Sequence, residues 1–267
     1  MTIGLVGCGA IGSRLAREIE RRFKRQARLI GVYDSDPRKA ERLSRCFRPR
    51  IPILQISELV SRSDLLIEAA SPKAVRQLLP HVISKRKAML VMSTGGILQS
   101  PELVRRARAA SIPLYLPSGA IVGLDGIKAA ANGALKSVTL TTRKPPLALK
   151  GSPELVRRRI RLDRVKAPQV LFEGSATEAI KAFPQNVNVA ATLALAGLGP
   201  HRTRVRVVVD PSLKRNVHEI EVVGSFGRLL TRTENLPSRK NPRTSQLAVL
   251  SALATLRQIF SPLRIGT

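Results

Sequence analysis

The sequence predicts an α/β chain in two parts: a parallel-sheet domain, then an α+β domain with a mostly antiparallel sheet. Three observations carry this. Short apolar strands alternate with amphipathic helices up to about residue 119, a rhythm that implies parallel strands and right-handed crossovers. A glycine-rich turn, Gly7-Cys8-Gly9-Ala10-Ile11-Gly12, joins the first strand to the first helix. Beyond about residue 120 the texture shifts to strands of period two, which half-exposed antiparallel strands show.

The first strand runs into Gly-x-Gly-x-x-Gly. Gly7 permits the tight turn, Gly9 lets the backbone approach a phosphate, and Gly12 lets the helix pack close to the sheet. The helix, about Ala10 to Phe23, turns its N-terminal amides toward an anion. The next strand, 28–33, ends in Asp34, 22 residues past Gly12, where an acid meets the ribose hydroxyls of a dinucleotide. This identifies a Rossmann-type domain with Gly7, Gly9, Ala10, Ile11, Gly12 and Asp34 as its cofactor set. Asp34 favours NAD over a 2′-phosphorylated cofactor, while Arg38 and Lys39 beside it leave NADP open.

Asp36-Pro37 caps the second helix. Residues 51–55 lead to a helix opening at Ser57-Glu58-Leu59. Residues 64–70 read as a buried parallel strand, and Ser71-Pro72 opens the helix after it. A strand over 88–92 ends in Ser93-Thr94-Gly95-Gly96. A helix over 101–110 and a strand over 113–116 follow. In the second part, 137–142 alternates as a strand, and the basic stretch 150–166 predicts a helical insertion or excursion loop. A strand at 169–174, helices at 175–183 and 188–197, and an Arg/Val-alternating strand at 204–209 come next. Residues 219–223 and 228–233 flank Gly224-Ser225-Phe226-Gly227 as a hairpin. A last helix, 245–260, is expected to pack back on the first domain. The domains are therefore 1–119 with about 240–267, and 120–239.

Composition narrows the function. The chain has 267 residues and 43% hydrophobic content, enough for a substantial core. No apolar run approaches the ~20 residues of a membrane span, and no signal peptide is visible. Cys8 and Cys46 form neither a disulfide framework nor a metal spacing; a reducing cytoplasm is the expected compartment. The net charge of +28 attracts polyanions. The basic residues are spread along helix faces, and 3% aromatics without Trp leave few stacking platforms. Nucleic acid is thus expected to bind non-specifically at most. A dinucleotide-sensing nucleic-acid-binding protein remains the alternative of another class, though no helix-turn-helix appendage is visible.

Several segments resemble the L-aspartate dehydrogenase family. They are the glycine loop, 68–75 (Glu-Ala-Ala-Ser-Pro-Lys-Ala-Val), 92–96 (Met-Ser-Thr-Gly-Gly), 117–125 (Pro-Ser-Gly-Ala-Ile-Val-Gly-Leu-Asp), 140–146 (Leu-Thr-Thr-Arg-Lys-Pro-Pro), 172–179, 183–192 (Phe-Pro-Gln-Asn-Val-Asn-Val-Ala-Ala-Thr), 216–220 (Asn-Val-His-Glu-Ile) and 241–245 (Asn-Pro-Arg-Thr-Ser). They span nearly the whole chain in the family's order, and the 183–192 and 216–219 blocks are the most specific. The resemblance implies an NAD(P)-dependent homodimer that interconverts L-aspartate and iminosuccinate, hence oxaloacetate and ammonia, in a direction that can feed NAD synthesis. The stretch 150–166 is longer than the family's usual connection, which implies an altered peripheral loop. Another Rossmann dehydrogenase, related to homoserine dehydrogenase or dihydrodipicolinate reductase, is the alternative among enzymes; it would lack the Asn-x-His-Glu block.

The implied chemistry takes a hydride from the α-carbon, deprotonates the amine and adds water. Histidine suits the proton steps. His81 ends an apolar helix and His201 lies in a turn. The family's catalytic histidine falls on His218, whose bland alternative is a structural residue at a strand start. The family's cofactor-contacting asparagine falls on Asn188, with Asn186 as second choice, and Ala120 matches another cofactor contact. Ala70 and Ser71, after a strand end, are expected to line the cofactor crevice. The substrate's two carboxylates call for basic side chains. Arg143 and Lys144 are the candidates, with Asn186, Arg243 and Thr244 behind them. No metal site is expected.

Overall fold

A computed structural model describes residues 1–183, 187–238 and 241–266, with the backbone alone at 187, 237–238 and 241–244. The chain forms two compact units, Met1–Pro117 with Val249–Pro262, and Ser118–Ala248 with the residues from Leu263 on. Among the described residues no helix is long and apolar enough to cross a membrane.

The first unit holds β1 (Thr2–Val6), α1 (Ala10–Arg22), β2 (Arg28–Tyr33), α2 (Pro37–Ser44), α3 (Ile56–Arg62), β3 (Leu65–Glu68), α4 (Pro72–Ser84), β4 (Ala88–Val91), α5 (Thr94–Leu98), α6 (Pro101–Ala109) and β5 (Leu114–Tyr115). Its five strands pair in parallel in the order β2-β1-β3-β4-β5. β3 is buried along its whole length, as a strand covered by helices on both faces must be. α1 buries Gly12, Leu15, Ala16 and Ile19, a stripe at helical spacing. The Asp36 side chain accepts from the Arg38 N–H at 3.0 Å and Ser71 Oγ from the Ala74 N–H at 3.2 Å, so both expected caps form ahead of Pro37 and Pro72. One apolar cluster joins Leu5, Leu15, Ile19 and Ile67; a second joins Leu66, Val75, Leu79 and Met89.

Two expectations shift here. The strand expected over 88–92 stops at Val91, and the Ser93–Gly96 segment at its end leads into α5, which starts at Thr94. β5 has two residues instead of four, because the flanking Pro113 and Pro117 have no N–H for a sheet ladder.

The second unit contains α7 (Leu124–Ala130), β6 (Leu135–Lys144), α8 (Pro146–Leu149), α9 (Pro153–Arg157), β7 (Gln169–Ser175), α10 (Ala176–Ala182), α11 (Val187–Ala196), β8 (Thr203–Val209), β9 (Asn216–Gly224), β10 (Gly227–Asn235), β11 (Pro237–Ser238), β12 (Asn241–Ser245) and the first turn of α12 (Gln246–Phe260). The main sheet has the order β10-β9-β6-β8-β7. Its pairs are antiparallel except β6–β8, which is parallel. Val138, Leu140, Val205, Val207, Ile220 and Val222 share its apolar core with Leu193 and Phe183. The basic stretch 150–166 is not one helix. α9 ends, Arg159 takes φ +53°, and a single 3₁₀ turn follows at Leu162–Arg164. α7 was invisible to periodicity because it is two turns long; it starts after Gly123, at φ +85°.

The chain rejoins the first unit at Val249, later than about residue 240, because Ser245 belongs to the second. Its Oγ donates to Asn235 Oδ1 at 2.6 Å. From Val249 on, α12 buries Val249, Ala252, Leu253 and Leu256 in the first unit's core, and Phe260 meets Phe23 with ring centroids 5.4 Å apart. Leu256 is fully buried, so Leu256→Ala should lower unfolding free energy by about 2–5 kcal/mol, measured by chemical denaturation. A loss below about 1 kcal/mol would mean that α12 is not part of this core.

Candidate active site

In the first unit the expected cofactor residues gather where strand order reverses, between β1 and β3, at the carboxyl ends of the strands. Open α/β sheets bind ligands at that point. Gly7 has φ +98°, and a Cβ on it would lie 2.5 Å from the Ala69 carbonyl oxygen. A Cβ on Gly12 would lie 1.8 Å from the Gly7 oxygen, whereas one on Gly9 would meet nothing within 4 Å. Gly7 and Gly12 are therefore required by the fold. Gly9 is not, and its bare backbone faces open space. It also caps α1 without a side-chain hydrogen bond, and the first turn carries no acid. The Ala10, Ile11 and Gly12 amides are thus the unpaired first turn of a long helix. These features fit a dinucleotide pyrophosphate.

Two carboxylates brace this end of the sheet. Asp34 accepts from the Cys8 N–H at 2.7 Å and the Asp36 N–H at 2.9 Å, tying the glycine loop to the end of β2. Glu68 is fully buried and accepts from the Ala70, Ser71 and Ser93 N–H groups at 2.8–3.0 Å and the Ser93 hydroxyl at 2.8 Å. Burial pushes its pKa up, and these four donors oppose that shift. The Ala70 and Ser71 amides are consequently spent on Glu68. Burial and the nearby Asp34 carboxylate push the Cys8 thiol up to about 12, so Cys8 is a packing residue and not a nucleophile.

In the second unit, β6 and β9 set the chemistry. Thr142 lies opposite His218. Both are buried, and Thr142 Oγ1 is 3.1 Å from His218 Nδ1. Lys144 follows two residues along β6 on the same face and is also buried. Burial, then the Lys144 charge, bring His218 down to about 3, so its ring is neutral at pH 7. Burial brings Lys144 down to about 8.

Arg143 departs from its expected partnership. Adjacent strand residues point to opposite faces, so Arg143 and Lys144 cannot form one clamp. Arg143 Nε donates to Glu219 Oε2 at 2.9 Å on the outer face. Ala120 is buried, and its carbonyl accepts from Thr233 Oγ1 at 3.1 Å and Asn235 Nδ2 at 3.0 Å. Asn188 is exposed and is the second residue of α11, not its cap. Asn186 and the Thr244 and Arg243 side chains lie outside the described residues. His81 and His201 are exposed. Sequence reasoning missed Glu68, Thr142 and Asn235 as supports. The available signal was an acid inside an otherwise apolar strand for Glu68; for the other two there was none.

Comparison with known proteins converges on one family. The model described as "Aspartate dehydrogenase, C-terminal" matches residues 125–259, and that described as "Homoserine dehydrogenase, NAD binding domain" matches 7–117. An L-aspartate dehydrogenase of Methanosarcina barkeri is 47% identical over 271 residues, covering 100% of both chains. The chain belongs to the aspartate dehydrogenase family. Within that family, L-aspartate dehydrogenase 3 of Bordetella bronchiseptica is 38% identical, with 99% and 97% coverage. The crystal structure of the aspartate dehydrogenase from Thermotoga maritima has a TM-score of 0.77 at 28% identity, covering 100% of this chain and 99% of that one. A homoserine dehydrogenase from Thiobacillus denitrificans, 12% identical with a TM-score of 0.65 over 97% and 73% of the chains, shares the fold alone.

Two outcomes follow. Gly9→Ala should leave thermal stability unchanged but weaken dinucleotide binding in fluorescence titration, while Gly12→Ala should destabilise the fold by about 1–3 kcal/mol. Equal stability loss in both would contradict the open space at Gly9. His218 binds a proton near pH 6.5 when unfolded but near pH 3 when folded, so the unfolded state is favoured as pH falls between those values. By pH 5 this costs about 2 kcal/mol. Denaturant melts at pH 7 and 5 should show that extra loss in the native chain and not in His218→Asn.

Proposed function

We propose that the chain is an L-aspartate dehydrogenase, oxidising L-aspartate to iminosuccinate, which adds water to give oxaloacetate and ammonia. The observation that carries this reading is the buried His218, bonded to Thr142 and adjacent to Lys144, in a chain of this family. NAD is the proposed cofactor, with NADP as the alternative, and the enzyme is read as a cytoplasmic homodimer able to supply iminosuccinate to NAD synthesis. Asp34 supports NAD, since a carboxylate repels a 2′-phosphate. The glycine loop and the α1 amides hold the pyrophosphate, while the Ala120 backbone and Asn188 serve the nicotinamide end. Bound dinucleotide supplies the hydride acceptor.

His218 handles the protons. To accept one at Nε2, the neutral ring must carry its hydrogen on Nδ1, and Thr142 Oγ1 is then the acceptor of that N–H. The hydroxyl can accept that N–H, so the contact accommodates the reactive tautomer. His218 takes the proton of the substrate ammonium before the α-carbon gives up its hydride, and releases that proton to solvent. The neutral ring next takes a proton from the water that adds to the imine carbon and returns it to the departing nitrogen, and the hydroxyl proton leaves as the carbonyl forms. The net change is aspartate, in its ammonium form, plus oxidised dinucleotide plus water to oxaloacetate, ammonium, reduced dinucleotide and a proton. Removing general acid/base catalysis costs about 10²–10⁴ in rate.

The test is a screen of amino acids as hydride donors with NAD and NADP, followed at the absorbance of the reduced cofactor. L-Aspartate should stand out, and His218→Asn should lose about 10²–10⁴ in kcat with dinucleotide affinity intact. Preference for another amino acid, or full turnover by the variant, would overturn the assignment.

A further inference from the structure

The chain carries 46 lysines and arginines, and among the described residues Lys144 is the only one that is buried. Its partners are the anomaly. Buried ammonium groups are ordinarily paired with an acid. No described residue stands in hydrogen-bond or ion-pair reach of the Lys144 side chain, and burial is the sole cause acting on its proton affinity. The charged groups nearby are committed elsewhere. Asp210, whose N–H donates to the Lys144 carbonyl, accepts at Oδ1 from the Ser212 N–H and hydroxyl, at 3.0 and 2.6 Å, and makes no ion pair with the Lys144 side chain. Glu219 is on the outer face with Arg143 and Arg232, and Glu234 is there with Arg232. The groups beside His218 on its own face are neutral: Thr142 on β6, Ile220 on β9 and Thr233 on β10. Among the described residues, Lys144 is therefore the one charge acting on the His218 ring within this unit.

We propose that Lys144 is the counter-charge for one carboxylate of the dicarboxylate substrate, and that filling this position is what enables His218 to take a proton. The inference rests on the aspartate reading and deepens it. Without an anion, an uncompensated ammonium on the same dry face disfavours a second positive charge on the imidazole. A carboxylate seated on Lys144 cancels that field, so proton uptake at His218 becomes cheaper once substrate is bound. The relation is reciprocal: protonating His218 tightens the anion by the same factor. Such an arrangement keeps the base silent toward water when the site is empty. It also selects against amino acids whose side chain lacks the second acid, because they leave one cation of the site without a partner. Thr142 supports both functions, holding the ring while standing between it and Lys144 in sequence register.

The experiment uses the full-length enzyme loaded with NAD and the unreactive dicarboxylate succinate. The chain has three histidines, so ¹⁵N-histidine NMR resolves each ring, and His218→Asn assigns its signal. Succinate should raise the His218 titration midpoint by about one pH unit or more in the native enzyme and leave it in place in Lys144→Met. The same variant, and Lys144→Gln as a second, should raise the aspartate KM roughly 10- to 100-fold, the range of one charge-assisted hydrogen bond. Neither variant should melt below the native chain, since each removes an uncompensated buried charge. An enzyme that oxidises L-aspartate while succinate leaves His218 unmoved, or moves it equally in Lys144→Met, would overturn the inference and leave the activity intact. Absence of aspartate oxidation with the succinate response preserved would instead remove the activity and keep the linkage.

Discussion

The backbone approach between Gly7 and Gly12 governs the first unit. The Gly7 carbonyl oxygen lies where a Cβ on Gly12 would be, so α1 descends onto the end of β1 with nothing in between. Gly7 itself presses on Ala69 at the end of β3. Two strand ends and a helix start thus meet through main chain alone. The remaining loops at this edge are fixed by carboxylates that receive backbone N–H groups: Asp34 holds the glycine loop to β2, and Glu68 holds the ends of β3 and β4. A polyanion entering here meets amides that are already oriented, which lowers the ordering cost of binding.

The second unit solves a different problem, since its sheet has one dry face and one wet face. The wet face is laced by Arg143–Glu219, Arg232–Glu219, Arg228–Glu221 and Arg206–Glu173 pairs. Exposed pairs of this kind contribute about 0.2–1 kcal/mol each, so they keep the face soluble and in register more than they stabilise it. The dry face is apolar over most of β6, β8 and β9, and polar where Thr142, Lys144 and His218 cluster. Thr142 lies directly opposite His218 across β6 and β9. The hydroxyl contact to the ring is therefore set by strand register, a property that a one-residue slip would destroy.

Most of this architecture was legible in the residues. The parallel half announces itself because buried strands are apolar throughout and their helices carry caps with a chemical signature, as at Asp36-Pro37 and Ser71-Pro72. The hairpin around Ser225-Phe226 and the return of α12 were readable for the same reason. What stayed hidden depends on long-range geometry. The parallel β6–β8 pairing joins strands separated by more than fifty residues, and no local pattern encodes it. The paired basic residues 143 and 144 look alike in one dimension, yet strand alternation sends one to water and the other to the core. The hold of Asn235 on Ala120 spans 115 positions, beyond any motif. Position 218 came from a resemblance; its burial and its partner Thr142 came from the fold.

The charge of the chain illustrates why burial, and not number, decides function. A net charge of +28 invites a search for polyanion partners. Yet the described arginines that carry it lie at the surface, many of them within reach of an acid on the same helix, as Arg21 and Arg22 are of Glu18. At physiological ionic strength, fields from such groups fade over about 8 Å. A single desolvated ammonium acts in a medium where the same charge is felt several times more strongly. It acts on a neighbour, His218, that is equally shielded from water. The surface charge can then vary widely without touching the chemistry, because among the described residues the only charge of the second unit that acts on the imidazole is that of Lys144.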